Sequence, residues 1–482
     1  MNNIRSWSLT LSTFGLATTI ACDSPTSTPA PDPPLPVNVT DVSFTPNPLM
    51  VTAAVARVEC SGPVAAVQVS YIGPGGSSSD YGSTPRFPVS ACPADVNVLG
   101  LLASTHYATW TTVWGEGGDV HTVVGPDLTT DALPPDLPQV TTQVFAGPPV
   151  GLTAFTVFSG SQTPPGYALI VDSIGRVRWY LADLSAATID LHPQPMGHYT
   201  LTRGTASFGE LYDELDRDGT FLRRWTAVGG YLTDNHEFRF TPQRTGLLLG
   251  FDSRTMDLTA YGGSATAEVH GNILEEVDSL GQVHFLWNAF DHFSITDVDP
   301  SIPLTSSVID WNHGNAIEID SDGNYLVSFR HLSEITKIDS KSGNIVWRWG
   351  GVKNEFEFID DALKFSFQHG IRRLANGNYI LFDNGNTHDP PFSRAVEYRL
   401  NQTAKTATLA WSYRPSPDIF SAFVGFAQRL GNGNTLVTFG PQGTLHEVSP
   451  SGQLVWTLTV TLPPGNLVYR AYRIASLYDP GL

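Results

Sequence analysis

Six times between Val171 and Trp456 an apolar run ends in a short acidic or polar turn and re-emerges as a strand carrying tryptophan. The copies are Val171-Asp172-Ser173-Ile174-Gly175 to Trp179, Leu215-Asp216-Arg217-Asp218-Gly219 to Trp225, Val277-Asp278-Ser279-Leu280-Gly281 to Trp287, Ile338-Asp339-Ser340-Lys341-Ser342-Gly343 to Trp347, Arg399-Leu400-Asn401 to Trp411, and Val448-Ser449-Pro450-Ser451-Gly452 to Trp456. The fifth copy lacks the glycine. Successive tryptophans stand about 45 to 65 residues apart, the period of a four-stranded unit. Between them fall second turns, Asp322-Gly323-Asn324, Asn376-Gly377-Asn378 and Asn432-Gly433-Asn434, whose Gly and Asn suit the positive backbone angles of tight hairpins. Two hairpins per repeat predict a six-bladed β-propeller over residues 139–482. The first repeat is short of a strand and Val468–Ile474 is surplus; the surplus strand is expected to complete the first blade and close the ring, which removes open sheet edges.

Ahead of the repeats, residues 37–132 alternate seven short apolar runs with turns, from Asp41–Thr45 to His121–Val124, the spacing of a β-sandwich. Leu101-Leu102-Ala103-Ser104-Thr105-His106-Tyr107 resembles the fibronectin type III pattern, in which a tyrosine near the start of a late strand bonds back to backbone. Residues 133–138, Leu-Pro-Pro-Asp-Leu-Pro, read as a stiff linker. The chain is therefore expected to be all-β throughout. Gly 44, Pro 35 and 15% charged residues agree.

The N-terminus carries Arg5, an apolar stretch from Trp7 to Ala21, and Cys22. Residues 1–22 read as a secretory signal, too short for a membrane span. Thr19-Ile20-Ala21-Cys22 resembles a bacterial lipobox with Thr19 where leucine is usual. Acylation of Cys22 would tether the mature protein to a membrane in the periplasm or at the cell surface, through the Pro/Ser/Thr-rich segment 23–36. Cys60 and Cys92 remain as an even pair in an oxidising compartment and are expected to form a disulfide. A net charge of −19 excludes a broad nucleic-acid-binding surface.

Histidine recurs at the leading end of the same kind of strand in three repeats: Asn235-His236-Glu237-Phe238, Asn312-His313-Gly314-Asn315 and Phe367-Gln368-His369-Gly370. In blades three, four and five these positions would converge on the mouth of the central channel. Arg330, ending a second strand, could reach the same mouth, and Asn315 falls on the face of His313 by the period of two. By the same alternation His331 would point to the other face. Three readings are open. Inner-strand histidines commonly bond backbone and neighbouring Asp or Ser; three imidazoles could hold zinc, as in six-bladed propeller lyases; or one histidine is a nucleophile while the others and Arg330 neutralise a transferring group.

Several segments together resemble the bacterial arylsulfate sulfotransferase family: Asp310-Trp311-Asn312-His313-Gly314-Asn315, Arg330-His331, Ile345-Val346-Trp347-Arg348-Trp349-Gly350-Gly351, Phe365-Ser366-Phe367-Gln368-His369, Phe382-Asp383-Asn384-Gly385, Ser393-Arg394 and Gln428-Arg429-Leu430-Gly431-Asn432-Gly433-Asn434. The resemblance implies a secreted propeller that moves a sulfuryl group from an aryl sulfate to a phenol, with no cofactor and no nucleotide donor, through a sulfated histidine. It would make His369 the nucleophile, with His313, His236 and Arg330 around the sulfuryl oxygens and Asn315 in support. Arg394 would bind substrate or anchor its loop through an acidic neighbour. Trp311 and Phe367 would hold the aryl ring or belong to the core. His446 reads as a surface strand residue. The chain has no glycine-rich phosphate loop. The rival from another class is a non-catalytic propeller that binds a surface ligand.

Overall fold

The computed structural model describes residues 36–75, 81–161, 165–183, 187–204 and 211–479. The signal segment, Cys22 and nearly all of the tether lie outside the described residues. Among those described, the protein is all-β, and its helical elements are 3-10 turns of three residues.

Six sheets with a four-stranded antiparallel core follow one another, and three of them gain a fifth strand at the edge, Val140–Val144 on the sixth, and Val308–Asp310 and Glu357–Ile359 in parallel on the third and fifth. The second is Ala187–Pro193, Tyr199–Gly204, Leu211–Leu215 and Phe221–Trp225. The third is Leu232–Phe240, Gly246–Met256, Ala267–Val277 and Val283–Asn288; the fourth is Gly314–Ile319, Tyr325–Phe329, Glu334–Ile338 and Ile345–Gly350. The fifth is His369–Arg373, Tyr379–Asp383, Arg394–Asn401 and Thr406–Tyr413; the sixth is Phe426–Arg429, Thr435–Phe439, Thr444–Val448 and Leu454–Val460. In the first sheet, Leu152–Ser159, Gly166–Val171 and Val177–Asp183 are joined by the last strand of the chain, Asn466–Ile474, antiparallel to Leu152–Ser159. The innermost strands touch in cyclic order: Asn466–Ile474 meets Ala187–Pro193, each later first strand meets the next, and Phe426–Arg429 returns to Asn466–Ile474. Pairing Asn466–Ile474 with the first strand of the first sheet satisfies backbone groups that would otherwise form two unpaired edges.

At Trp179, Trp411 and Trp456 the repeated turn and tryptophan form one device. Trp179 Nε1 donates to the Arg217 carbonyl, Trp411 Nε1 to that of Pro450 and Trp456 Nε1 to that of Ser173, at 2.9 to 3.0 Å. Each ring is thereby buttoned to the turn before the equivalent tryptophan of the next sheet, and Trp456 reaches round to the first. Such a bond adds about 1 kcal/mol to the burial of the ring. In the fifth copy, which lacks glycine, Lys405 takes the left-handed conformation, φ 54°, that glycine takes elsewhere.

Residues 38–129 form a three-stranded sheet, with Ala53–Ser61 at its centre, packed on a second sheet around Val64–Ile72 and His106–Gly115. Nine strands are present where seven were expected, because Tyr81–Ser83 and Leu128–Thr129 pair briefly at the edges. The Leu102 N–H donates to the Tyr107 hydroxyl at 2.7 Å. Cys60 and Cys92 form a disulfide across 5.5 Å between Cα atoms. Met50, Leu99 and Leu137 share one buried cluster with the first sheet, and Asn97 Nδ2 donates to Asp218 at 3.1 Å. The proline-rich 133–138 segment is thus anchored by Leu137 rather than a free spacer.

Candidate active site

The leading strands of the third, fourth and fifth sheets each carry an irregularity where they reach the mouth. Thr233 pairs with Gly250 and Phe238 with Leu248, so Asp234–Glu237 stand opposite one partner residue. Asn315 is inserted between paired Gly314 and Ala316, and Gly370 and Ile371 between paired His369 and Arg372. Such bulges re-aim side chains. His313 is itself in the left-handed region, φ 48°, as are Phe367, φ 54°, and the β-branched Val424, φ 51°. Non-glycine residues are costly there, and such strain concentrates at functional sites.

These strands bring His236, His313, His369 and Arg330 to one cavity of about 390 Å³, walled by Phe158, Ile189, Phe423, Leu467 and Tyr469. The rings of His236 and His313 stand edge to face with centroids 4.6 Å apart.

The three imidazoles are held differently. His236 Nδ1 lies 2.6 Å from Asp234 Oδ1, and His313 Nδ1 bonds Asp310 Oδ2. His369 Nδ1 lies 2.7 Å from Asn384 Oδ1. Asn384 Nδ2 donates to the carbonyls of Ser421, 2.7 Å, and Val424, 2.9 Å, which fixes the amide with its oxygen toward His369. His369 must then carry its proton on Nδ1 and keep the Nε2 lone pair.

The charges follow. Burial pushes the His236 pKa down, but the Asp234 carboxylate outweighs it and the net shift is upward. Burial lowers that of His369 as well; Arg330, His313 and His236 push the same way, and the Asn384 amide cannot compensate, so it falls well below the ordinary value. Asp310 is half-buried and its desolvation favours the neutral form, yet the neighbouring imidazoles, His313 foremost, hold it ionised far below the usual carboxylate range.

Arg330 is a half-buried guanidinium with neutral acceptors. Nη1 donates to His331 Nε2 at 2.6 Å and Nη2 to the Ala422 carbonyl at 2.8 Å; Nε has no partner. Its face lies 4.9 Å from the Phe367 ring. Burial lowers its pKa to about 10. Among the described residues no carboxylate pairs with it, whereas Arg372, Arg394 and Arg470 are all ion-paired. The Asp310 carboxylate acts on it only from beyond ion-pair distance, and a largely desolvated cation with no carboxylate in contact is expensive unless a ligand supplies one.

Three sequence expectations are corrected, for Asn315, His331 and His446. Asn315 does not face the cavity, because the bulge at that residue breaks the alternation; its Nδ2 donates to the Gln368 carbonyl at 2.7 Å and so braces the strand before His369. Of the two alternatives for Arg394, its contacts are those of an anchor: the guanidinium donates to Asp383 at 2.8 Å and to Asp361 at 2.9 Å. His331 does not point away, because the strand stops at Phe329 and Arg330–Leu332 is a 3-10 turn that swings the imidazole beside His313, centroids 4.6 Å apart. His446 is half-buried between Tyr413 and Phe439 rather than on the surface. Of the aromatic candidates, Trp311 is core, against Phe290 and Phe293, and Phe367 lies beneath Arg330.

Asp234, Asp310, Asn384, Tyr469 and Phe423 were not foreseen as site residues. The two aspartates stand two and three positions before their histidines, so Asp234-Asn235-His236 and Asp310-Trp311-Asn312-His313 carry a signal that was legible.

Asp310, His313 and His331 offer ligand atoms within 4.8 Å of one another, the one such group among the described residues. His331 is committed on both nitrogens, to Arg330 and to the Asp310 carbonyl at 2.6 Å. The adjoining guanidinium would repel a cation, so the cluster fits an anion better than a metal.

Residues 146–461 match the sequence profile of the arylsulfotransferase (ASST) family. The chain belongs to the arylsulfotransferase family. Membership makes it a transferase of aryl sulfates, with an aryl sulfate and a phenol as the small-molecule substrates. No match to a curated protein is found. Among solved structures, a Bacteroides caccae protein of unknown function is 14% identical over 66% of this chain and 98% of its own, with a TM-score of 0.42. The virginiamycin B lyase of Staphylococcus aureus is 8% identical over 66% of this chain and 87% of its own, with a TM-score of 0.36. Likenesses so remote bear on neither the fold nor the activity of this arylsulfotransferase.

Proposed function

We propose that this arylsulfotransferase works without a nucleotide donor, by a ping-pong route through a sulfated His369, on a six-bladed propeller preceded by a fibronectin type III-like sandwich. The observation that carries the reading is the contrast of partners: an amide holds His369 neutral, while carboxylates hold His236 and His313, beside an Arg330 that lacks a counter-anion.

In the first half-reaction the His369 Nε2 lone pair attacks sulfur. The N–S bond forms as the S–O bond to the aryl oxygen breaks, and the electron pair leaves with the phenolate. His369 keeps its Nδ1 proton on Asn384 and becomes a sulfated imidazolium. In the second half-reaction an acceptor phenolate attacks sulfur, the N–S bond breaks, and neutral His369 returns; the proton lost by the acceptor phenol balances the one taken up by the released phenolate. The transition state of such a transfer is loose, with charge on three equatorial oxygens, so positioning and neutralisation by His236, His313 and Arg330 are what the protein contributes. A phenol, with a pKa of about 10, leaves more readily than an alcohol, which accounts for the aryl preference.

We place the protein outside the cytoplasm, lipid-anchored at Cys22, with 37–132 and 139–482 as its two domains. A chromogenic aryl sulfate with excess phenol tests the activity. Turnover that survives in His446→Ala and vanishes in His369→Ala supports the enzyme; absence of turnover in the folded wild-type protein would favour a non-catalytic ligand binder.

A further inference from the structure

Arg330 reaches the cavity from a turn, not from a strand, so its direction is set by what its nitrogens bond. The two partners are an imidazole and a carbonyl, Nη1 to His331 Nε2 at 2.6 Å and Nη2 to the Ala422 oxygen at 2.8 Å. A guanidinium is only a donor, so His331 Nε2 must be the acceptor. His331 Nδ1 therefore carries the proton and donates to the Asp310 carbonyl at 2.6 Å. The tautomer is dictated from both ends. The same Asp310 holds His313 through its carboxylate, so one residue orients an imidazole of the anion site with its side chain and His331 with its backbone.

We propose that His331 is a positioning residue of the sulfuryl-transfer site: a neutral acceptor that aims the Arg330 guanidinium without cancelling its charge. This rests on the anion-binding role given to Arg330. Carboxylates are the usual partners of buried arginines, and Arg372, Arg394 and Arg470 of this chain each have one. A carboxylate beside Arg330 would orient it equally well but would neutralise it before substrate arrives. Burial, followed by His313, lowers the His331 pKa to about 3, so the imidazole stays an acceptor over the working range.

The test compares His331→Gln, His331→Glu and His331→Leu in the full chain, reading the affinity for inorganic sulfate by calorimetry and the donor half-reaction with a chromogenic aryl sulfate. Gln keeps a neutral acceptor and is expected within about threefold of wild type in both. Glu keeps an acceptor but adds charge, and is expected to weaken sulfate binding about 30-fold or more. Leu frees the guanidinium and is expected to lower kcat about 10- to 100-fold with a smaller change in KM. Gln and Glu are nearly isosteric, so a loss common to both, in folded protein, would mean a merely structural imidazole and would overturn the proposal. Full activity in Leu, or wild-type sulfate affinity in Glu, would overturn it as well. Sulfate binding without turnover in the wild-type protein would instead overturn the transferase reading and leave the positioning role decided by the affinities.

Discussion

Arg470 is a fully buried guanidinium on an inner strand and Arg330 a half-buried one on a turn at the cavity, and they are treated in opposite ways. Arg470 lies 3.2 Å from Glu237 and 3.6 Å from Asp190, and donates to the backbone carbonyls of His236 and Asn315 at 3.0 and 2.9 Å. Glu237 also accepts from Arg372 and from the Ile317 N–H at 2.9 Å, and Arg239 pairs with Glu318 at 3.0 Å. Below the cavity, then, charge meets charge and the inner strands are stitched together. At the cavity itself Arg330 meets only neutral oxygen and nitrogen. The lower network is closed on itself and holds the frame; the upper one is left incomplete, and the missing member is an anion.

Breaking the closed half should cost most. Glu237→Gln removes the carboxylate that Arg470 and Arg372 share and leaves each only a longer contact, to Asp190 at 3.6 Å and to Glu318 at 3.9 Å; breaking a buried pair in this way costs up to about 3–5 kcal/mol, and thermal unfolding should show a large drop in Tm. Breaking the open half should do the reverse. Arg330→Met removes a half-buried cation that no carboxylate contacts, so stability should hold or rise while kcat/KM for an aryl sulfate falls about 10²- to 10³-fold. Equal losses of Tm in the two variants would erase the distinction between the regions.

A milder change sharpens it. Asp234 raises the His236 pKa above its ordinary value, so His236 stays cationic to higher pH and loses its charge as pH rises through that raised pKa. In Asp234→Asn the pKa should fall, and the alkaline limb of the donor half-reaction should move to lower pH, with roughly a tenfold loss at neutral pH. An unmoved limb would show that His236 charge is not used. The smallest effect is expected at the rim. Phe423, 44% exposed, lines the cavity without touching the charge network. Phe423→Ser should raise the acceptor KM a few-fold, most for alkyl-substituted phenols, at about 0.8 kcal/mol per methylene no longer buried, and should leave binding of inorganic sulfate unchanged.

The frame was legible in the sequence because its signals are local. A glycine turn followed by tryptophan recurs with each four-stranded unit, and histidine recurs at the head of a strand since that position faces the mouth. What was not legible depends on neighbours distant along the chain. Arg330 and Arg394 both stand at strand ends beside a cavity or a loop; only folding reveals that Asp361 and Asp383 meet one of them and neutral atoms the other. The period of two misplaced Asn315 because a bulge inserts a residue there, and misplaced His331 because its strand had already ended. The partner that sets the chemistry of His369, Asn384, lies fifteen residues on, and its amide orientation is dictated by Ser421 and Val424 in a loop after the fifth sheet.

The account turns on which imidazole the sulfuryl group joins. The protein should be mixed with an aryl sulfate in the absence of acceptor, quenched in alkali and digested, and the sulfated peptide sequenced by tandem mass spectrometry. The sulfuryl group should sit on His369 and be discharged when phenol is added. Sulfation of His236 or His313, or steady turnover with no covalent adduct at all, would contradict the rule that the amide-held histidine is the nucleophile.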